Sequence, residues 1–221
     1  AAAIALYLAG SLIMGTPPDF DAPGPVVASY LGEDSTRIQL GAAVHAAWAP
    51  LFLWFLATVH SLAHEHGPAA RRAAAVALAC GAAFLVLFLV DVTALAVGAL
   101  RPENMAADPE LATALHDVSW LAMGMAAPLV SGMLVAFAVR SLRDGAVWPA
   151  WLGRLAAVAA AVYALRVGTL FTTDGAFAAD GVLGLWAPVA AAAAWIVAAS
   201  LSLVRDLSRA QAGALLSGRQ R

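Results

Sequence analysis

The chain has 221 residues, of which 62% are hydrophobic and only 12% are charged, and its mean hydropathy is +0.83. A soluble globular domain is about 45–50% apolar and about 25% charged, so this composition excludes a soluble enzyme, a disordered chain and a nucleic-acid binder. The remaining class is a polytopic membrane protein, predicted here as an all-α transmembrane bundle in a single domain. The single cysteine, Cys80, excludes a disulfide within one chain and is expected to be a small core residue.

The apolar segments predict six transmembrane helices, because a helix needs about 20 apolar residues to cross a bilayer. The first segment is assigned to helix one rather than to a signal peptide, since no cleavage site followed by a soluble region is recognisable. The predicted helices cover residues 1–15, 38–63, 73–100, 113–139, 150–171 and 182–204.

The charges of the loops alternate along the chain. Nine of the 12 basic residues, all of which are Arg, lie after helices two and four and in the tail, whereas acidic residues dominate the other three loops. By the positive-inside rule, both termini are expected to be cytoplasmic. The abundance of Arg and Ala is typical of a high-GC bacterial genome, and the expected location is therefore the bacterial inner (cytoplasmic) membrane, with membrane lipid as a partner.

The loop after helix one is the longest and is rich in proline, so a continuous helix is excluded there. Residues 26–31 are expected to form a short turn or an interfacial helix. Long loops of this kind are often lids, and a lid is the function that we expect for it.

Five ionisable residues fall inside the predicted helices, where a charge is costly and usually faces the bundle interior. At a rise of about 1.5 Å per residue, three of them lie about 10–15 Å below the outer ends of their helices, and the other two begin helix four. We therefore expect all five in one layer, in the outer half of the membrane. They are His45, Asp91, His116, Asp117 and Arg166.

Four aromatic residues are expected in the same layer, namely Trp48, Trp120, Tyr163 and Trp186. The alternative for these residues is an aromatic belt at the membrane interface. Prolines interrupt three helices, at Pro50, Pro128 and Pro188, and kinks at such prolines open space between helices. A pocket is therefore predicted in the outer half, with the ionisable residues at its boundary and Trp48 and Trp120 in its wall.

Each candidate residue also has a structural interpretation. Asp91 and Arg166 are expected within ion-pair reach of one another or in one polar cavity, and such a pair can be purely structural. His45 can be a core histidine bonded to a carbonyl, and Asp117 can cap the start of helix four. The histidines at positions 60, 64 and 66 are interpreted as a solvated helix end, and no metal site is predicted.

Three segments of the sequence carry a resemblance to other proteins: Leu115-His116-Asp117-Val118-Ser119-Trp120, Arg140-Ser141-Leu142-Arg143 and Trp148-Pro149-Ala150-Trp151-Leu152-Gly153. On these segments the sequence resembles, over most of the chain, a large family of uncharacterised six-helix integral membrane proteins of high-GC bacteria. It implies a fold but no activity and no catalytic residue. In size, helix count and intramembrane acid, the chain is also similar in type to small integral-membrane terpene cyclases, without a shared motif.

The first functional hypothesis is an intramembrane enzyme that acts on an isoprenoid or other lipid-soluble substrate without a cofactor. Acid-initiated cyclisation needs a carboxyl group in an apolar pocket, which favours its protonated form, and aromatic faces that stabilise a cation. Asp91 or Asp117 would supply the proton, Arg166 would orient the acid or a substrate oxygen, and His45 and His116 complete the predicted site. Trp48, Trp120, Tyr163 and Trp186 would line the cavity.

Three other hypotheses remain open on the sequence. Asp91 and Arg166 suit a proton-coupled transporter, although no inverted repeat is evident. His45 and His116 suit the axial ligands of haem b. A non-catalytic membrane subunit needs none of these residues. The sequence has no HExxH, GxSxG, Walker A or CxxC motif, so metalloprotease, serine hydrolase, NTPase and thiol-redox functions have no support.

Overall fold

The structure is a computed structural model that describes residues 2–62, 67–144 and 149–218. These ranges are almost entirely helical and contain no strand. The eight α-helices are α1 (Ala2–Met14), α2 (Gly24–Glu33), α3 (Ser35–Leu62), α4 (Pro68–Leu100), α5 (Pro102–Ala107), α6 (Pro109–Asp144), α7 (Ala150–Leu165) and α8 (Ala187–Gly218).

Within the described ranges, five helical segments are long and apolar enough to cross a membrane. They are Ser35–Ser61, Pro68–Leu100, Pro109–Leu142, Ala150–Leu170 and Gly175–Ser202. Large apolar side chains cover their outer faces, as lipid contact requires; Trp54, for example, is 78% exposed and Val158 is 60% exposed. The all-helical bundle predicted from the composition is therefore confirmed, as an architecture compatible with a multi-pass membrane protein.

The sequence predicts six crossings, whereas the described residues contain five helices of sufficient length and one shorter apolar helix, α1. It has 13 residues, which is about 20 Å of helix and less than the thickness of a bilayer. It packs along α3, so its partner is the next long helix in the chain.

The proline-rich loop leads into α2, which is a complete helix of ten residues rather than a short turn. Val27 and Leu31 on its inner face are fully buried, and α2 packs against α4, α5 and α6. Gly98 of α4 makes this close packing possible, because a Cβ there would lie 2.7 Å from Cδ1 of Leu31. We call the end of the bundle that α2 covers the capped end, and the other the uncapped end.

Two of the long helices are irregular near the capped end. The last predicted turns of helix five tighten into a 3₁₀ helix at Arg166–Leu170. The start of helix six is a π-helical turn, Val182–Trp186, and Pro188 follows as the second residue of α8. Pro188 therefore does not interrupt an α-helix as expected, because α-helical geometry begins only at Ala187. Pro50 and Pro128 do lie inside their helices.

Two hydrophobic cores follow one another along the bundle. The capped-end core contains Val27, Leu31, Ile38, Trp48, Leu85, Phe88 and Leu95. The uncapped-end core contains Leu56, Ala77, Ala127, Leu134, Leu152, Ala156 and Ala159. Cys80 is half-buried and packs against the second core, close to its expected role. Phe52 and Phe84 pack against both cores and so join them.

Candidate functional site

The predicted layer of ionisable residues lies toward the capped end, between the helices. Three of its five members are almost completely buried, with exposures of 3% for His45, 0% for His116 and 2% for Arg166. Asp91 and Asp117 are partly buried. Since buried polar groups need partners, the contacts of each side chain decide what the layer can do.

Asp91 is held by Ser119, which is not among the predicted site residues. The hydroxyl of Ser119 on α6 donates a short hydrogen bond to Oδ1 of Asp91 on α4. Ser119 is buried, and it lies three residues after His116, on the same face of α6. The bond therefore fixes the carboxyl group of Asp91 at the seam between α4 and α6.

Arg166 stands at the junction where α7 becomes the 3₁₀ helix. Gly124 of α6 allows this segment to approach, since a Cβ there would lie 3.1 Å from Oγ1 of Thr169. Within the described part of the chain, Nε of Arg166 has no hydrogen-bond partner. Arg166 is thus buried at the point where the helix geometry changes, in a segment that packs against α6.

Asp91 and Arg166 occupy one polar region without touching. These two described side chains form no ion pair within 4 Å. They nevertheless interact electrostatically, and Tyr7 of α1 interacts with both. Tyr163, one turn before Arg166 on α7, interacts with Arg166 and Tyr7. The region therefore combines an acid, a guanidinium group and two phenols from α1, α4 and α7.

His45 joins this region to a column of aromatic rings. Its Nε2 lies 3.4 Å from Oγ of Ser11 on α1, while Nδ1 has no partner among the described residues. Its ring contacts Phe88 edge to face at 5.0 Å and Tyr7 at 5.7 Å. The column continues through Trp48, Phe52 and Phe84 toward the uncapped end, with neighbouring ring centroids 5.0–6.0 Å apart.

His116 connects the proline-rich loop to α6. Nε1 of Trp120 donates to Nε2 of His116 at 2.9 Å, and the same nitrogen lies 3.0 Å from the carbonyl oxygen of Pro18. One ring nitrogen either accepts from the indole or donates to the carbonyl, but it does not do both in one tautomer. The loop is therefore attached to the bundle through a shared hydrogen-bonding atom.

Two of the predicted roles are corrected by the structure. Trp186 is 61% exposed, on the π-helical turn, and so it does not line an interior pocket; its position suits the alternative of an aromatic belt. Asp117 does not cap a helix, because α6 begins eight residues earlier and its first turn is capped by Asp108, whose carboxylate accepts a hydrogen bond from the backbone N–H of Leu111. Trp48, Trp120 and Tyr163 are buried, at 5%, 8% and 9% exposure.

The histidines do not provide a good haem site. Nε2 of His116 is already engaged by Trp120 and Pro18, and the ring of His45 is packed against Phe88 and the backbone at Gly10. Within the described ranges, no three His, Cys, Asp or Glu side chains gather into a metal site. His60 lies in the last turn of α3, and His64 and His66 lie outside the described residues.

Comparison with known proteins yields no relative: no family model, no curated protein and no solved structure matches this chain. The function must therefore be inferred from the chemistry of the site.

Proposed function

We propose that the protein is an intramembrane enzyme that uses Asp91 as a general acid on an isoprenoid or other lipid-soluble substrate. The observation that carries the proposal is the position of the Asp91 carboxyl group. It lies one helical turn from Phe88, at the head of the aromatic column, and one of its oxygens is held by Ser119. An acid fixed beside aromatic faces suits a reaction that begins with protonation and passes through a cation.

The proposed reaction is an isomerisation by cyclisation. The protonated carboxyl group of Asp91 transfers its proton to one carbon of a substrate double bond, whose electron pair forms the new C–H bond. The other carbon becomes cationic and is attacked by a second double bond, which closes a ring. Loss of a proton from a neighbouring carbon returns it to the Asp91 carboxylate, so substrate and product have the same composition.

The other residues of the layer have supporting roles in this proposal. Ser119 orients the carboxyl group, and the faces of Trp48 and Phe88 stabilise the cation by cation–π interaction, worth about 0.5–2 kcal/mol each. Arg166 orients an oxygen of the substrate. Tyr163 and Trp120 bound the site on the sides of α7 and α6, and Asp117 is the second candidate acid.

The first prediction tests the acid. The reconstituted protein is incubated with compounds that carry a farnesyl or geranylgeranyl chain and end in a phenol, a carboxylate or a phosphate. Chromatography with mass detection searches for a product of unchanged mass and altered retention. Asp91→Asn should abolish this product, because the amide keeps the shape of the side chain but is not a proton donor. Asp117→Asn should retain it.

Folding is controlled by comparing the thermal unfolding midpoints of the two variants with that of the parent protein. Turnover per folded molecule that is the same in the parent and in both variants would contradict acid catalysis. Loss of turnover in proportion to loss of folded protein would assign Asp91 a structural role instead.

We also propose that the bundle lies in the bacterial cytoplasmic membrane with both termini inside, and that α1 is part of a sixth crossing. The alternation of loop charge supports this orientation. A cysteine introduced at Asp21 or Asp108, in a Cys80→Ala background, should react with an impermeant thiol reagent in intact cells, and one at Arg143 should not. The opposite labelling pattern would reverse the orientation.

A further inference from the structure

Arg166 is a buried cation that interacts with Asp91 electrostatically but has no direct ion pair among the described residues. The residue is 2% exposed, its Nε has no hydrogen-bond partner among the described residues, and no ion pair joins it to Asp91. Asp91 is instead engaged by Ser119. An arginine does not lose its proton in a protein, so the cost of burying this charge cannot be avoided by neutralisation. A buried cation without a direct partner is stabilised when an anion binds beside it.

The groups around Arg166 suit an oxyanion. A guanidinium group presents its N–H donors in a planar fork that matches a carboxylate or phosphate. The phenols of Tyr7 and Tyr163 lie close enough to interact with it electrostatically, and a phenol O–H is a further donor. His45, which contacts Tyr7, adds a buried Nδ1 that has no partner in the described ranges.

The surroundings away from Arg166 suit a hydrocarbon chain. Tyr7 contacts Trp48 at 5.3 Å and Phe88 at 5.8 Å, and from there the aromatic column runs toward the uncapped end. Free phosphate would leave this apolar side unused, whereas an amphiphile would satisfy both sides. Arg101, in contrast to Arg166, is exposed to solvent.

We propose that Arg166 is the head-group site for an acidic amphiphile, with a carboxylate or phosphate against the guanidinium group and the hydrocarbon chain along the aromatic column. This inference names the substrate class of the proposed enzyme, and it rests on the proposed function in taking the ligand to be the substrate. Binding itself is measurable without turnover, so the two proposals fail in different experiments.

The test measures the thermal unfolding midpoint of the full chain in phosphatidylcholine nanodiscs with four probes. Dodecyl phosphate supplies the chain and the anion, dodecanol the chain alone, inorganic phosphate the anion alone, and dodecyltrimethylammonium the chain with the opposite charge. A ligand that binds only the folded state raises the midpoint. We expect an increase of several degrees with dodecyl phosphate and less than one degree with each of the others.

The variants locate the effect. Arg166→Gln should lose the increase, Arg166→Lys should keep part of it, and Arg101→Gln, which removes an exposed arginine, should keep all of it. If Arg166→Gln does not fold, Arg166→Lys and Tyr163→Phe test the proposal instead, because each should weaken binding of dodecyl phosphate severalfold. An equal increase with dodecanol, or an increase that persists in Arg166→Gln, would overturn the proposal. An equal increase with inorganic phosphate would overturn the role of the hydrocarbon chain.

Asp91→Asn separates this proposal from the catalytic one. It should abolish the cyclised product and retain stabilisation by dodecyl phosphate, because the amide leaves Arg166 in place. If the parent protein shows no turnover but is still stabilised by dodecyl phosphate, the result would support the binding site and contradict the proposed reaction. Loss of stabilisation in Asp91→Asn with unchanged folding would overturn the assignment of Arg166 as the head-group site.

Discussion

The two cores of the bundle differ in the side chains that they bury. In the uncapped-end core, α4, α6 and α7 approach closely through buried alanines, and the hydroxyl groups of Ser131 and Ser141 donate to backbone carbonyl oxygens. The capped-end half has larger aromatic side chains and holds the buried His45, His116 and Arg166. Small residues let helix backbones pack against one another in a membrane. Small residues and these hydroxyl bonds therefore account for the close helix packing in the uncapped-end core. Packing does not account for the buried ionisable groups of the capped end, and for that reason we place the function there.

The largest effect on stability is expected in the uncapped-end core. Leu152 is fully buried, so Leu152→Ala should lower the free energy of unfolding by about 2–5 kcal/mol through lost contacts and a cavity. Leu142, which is 49% exposed, provides the matched control, and Leu142→Ala should cost less than about 1 kcal/mol. Equal losses, measured by denaturant titration in detergent micelles, would mean that this end does not act as a packed core.

Substitution of two serines, one in each half of the bundle, allows the roles of the two halves to be compared directly. Ser119 donates to a carboxyl oxygen, whereas Ser131 donates to the carbonyl oxygen of Ala160 at 2.9 Å. Ser119→Ala should cost about 1–3 kcal/mol, because it leaves a buried acceptor unsatisfied, and it should also lower turnover. Ser131→Ala should cost about 0.5–1.5 kcal/mol and leave turnover per folded molecule unchanged. The same loss of turnover in both variants would remove the functional distinction between the halves.

The attachment of the proline-rich loop tests whether the capped end is held by specific contacts. His116→Phe removes the ring nitrogen near the Pro18 carbonyl, so a cysteine at Asp21 should react several times faster with a soluble thiol reagent. Trp120→Phe removes only the indole donor and frees Nε2 of His116 for Pro18, so the same cysteine should react no faster than in the parent. Faster reaction in both variants would show that the indole, rather than the carbonyl contact, holds the loop.

The smallest effect concerns Tyr30 of α2, which lies outside the membrane-crossing helices. Burial, with a smaller contribution from the charge of Asp34, raises the pKa of Tyr30 from 10.0 to about 12. Between these two pH values the unfolded chain loses the phenol proton and the folded chain keeps it, so stability should fall as the pH rises from about 10 to 12. Tyr30→Phe should reduce this decline while leaving stability at pH 8 nearly unchanged. Unfolding midpoints measured across that pH range check the prediction, and identical slopes in the two proteins would contradict it.

The depth of the polar residues was predictable from the sequence, but their rotation about the helix axes was not. Counting residues from the helix ends places His45, Asp91 and Arg166 in one layer, because the rise per residue is constant. Ser119 was missed because serine is common in membrane helices and only the orientation of α6 turns it toward Asp91. Tyr7 was missed because nothing in the spacing of α1 specifies which helix it contacts.

The predictions that were wrong concern segments with irregular helical geometry. Trp186 was expected in a cavity wall on the assumption of a regular helix, but the π-helical turn before Pro188 presents it outward. Likewise, the end of α7 was expected to remain α-helical, and the 3₁₀ geometry at Arg166 depends on how closely Gly124 lets the segment approach α6. Such departures depend on tertiary packing, which hydropathy does not record.

The buried inner face of α2 determines how the concentration of a ligand of the polar layer should be expressed. Val27 and Leu31 are fully buried where α2 covers the capped end, so we expect the proposed amphiphile to reach its site from the bilayer, between the helices, rather than from water. Its effective concentration is then its mole fraction among the surrounding lipids. Adding phosphatidylcholine at a constant total amount of ligand should lower occupancy of the site by surface dilution, as the same ligand spreads over more membrane. Affinities for this protein are therefore to be expressed per lipid and not per litre.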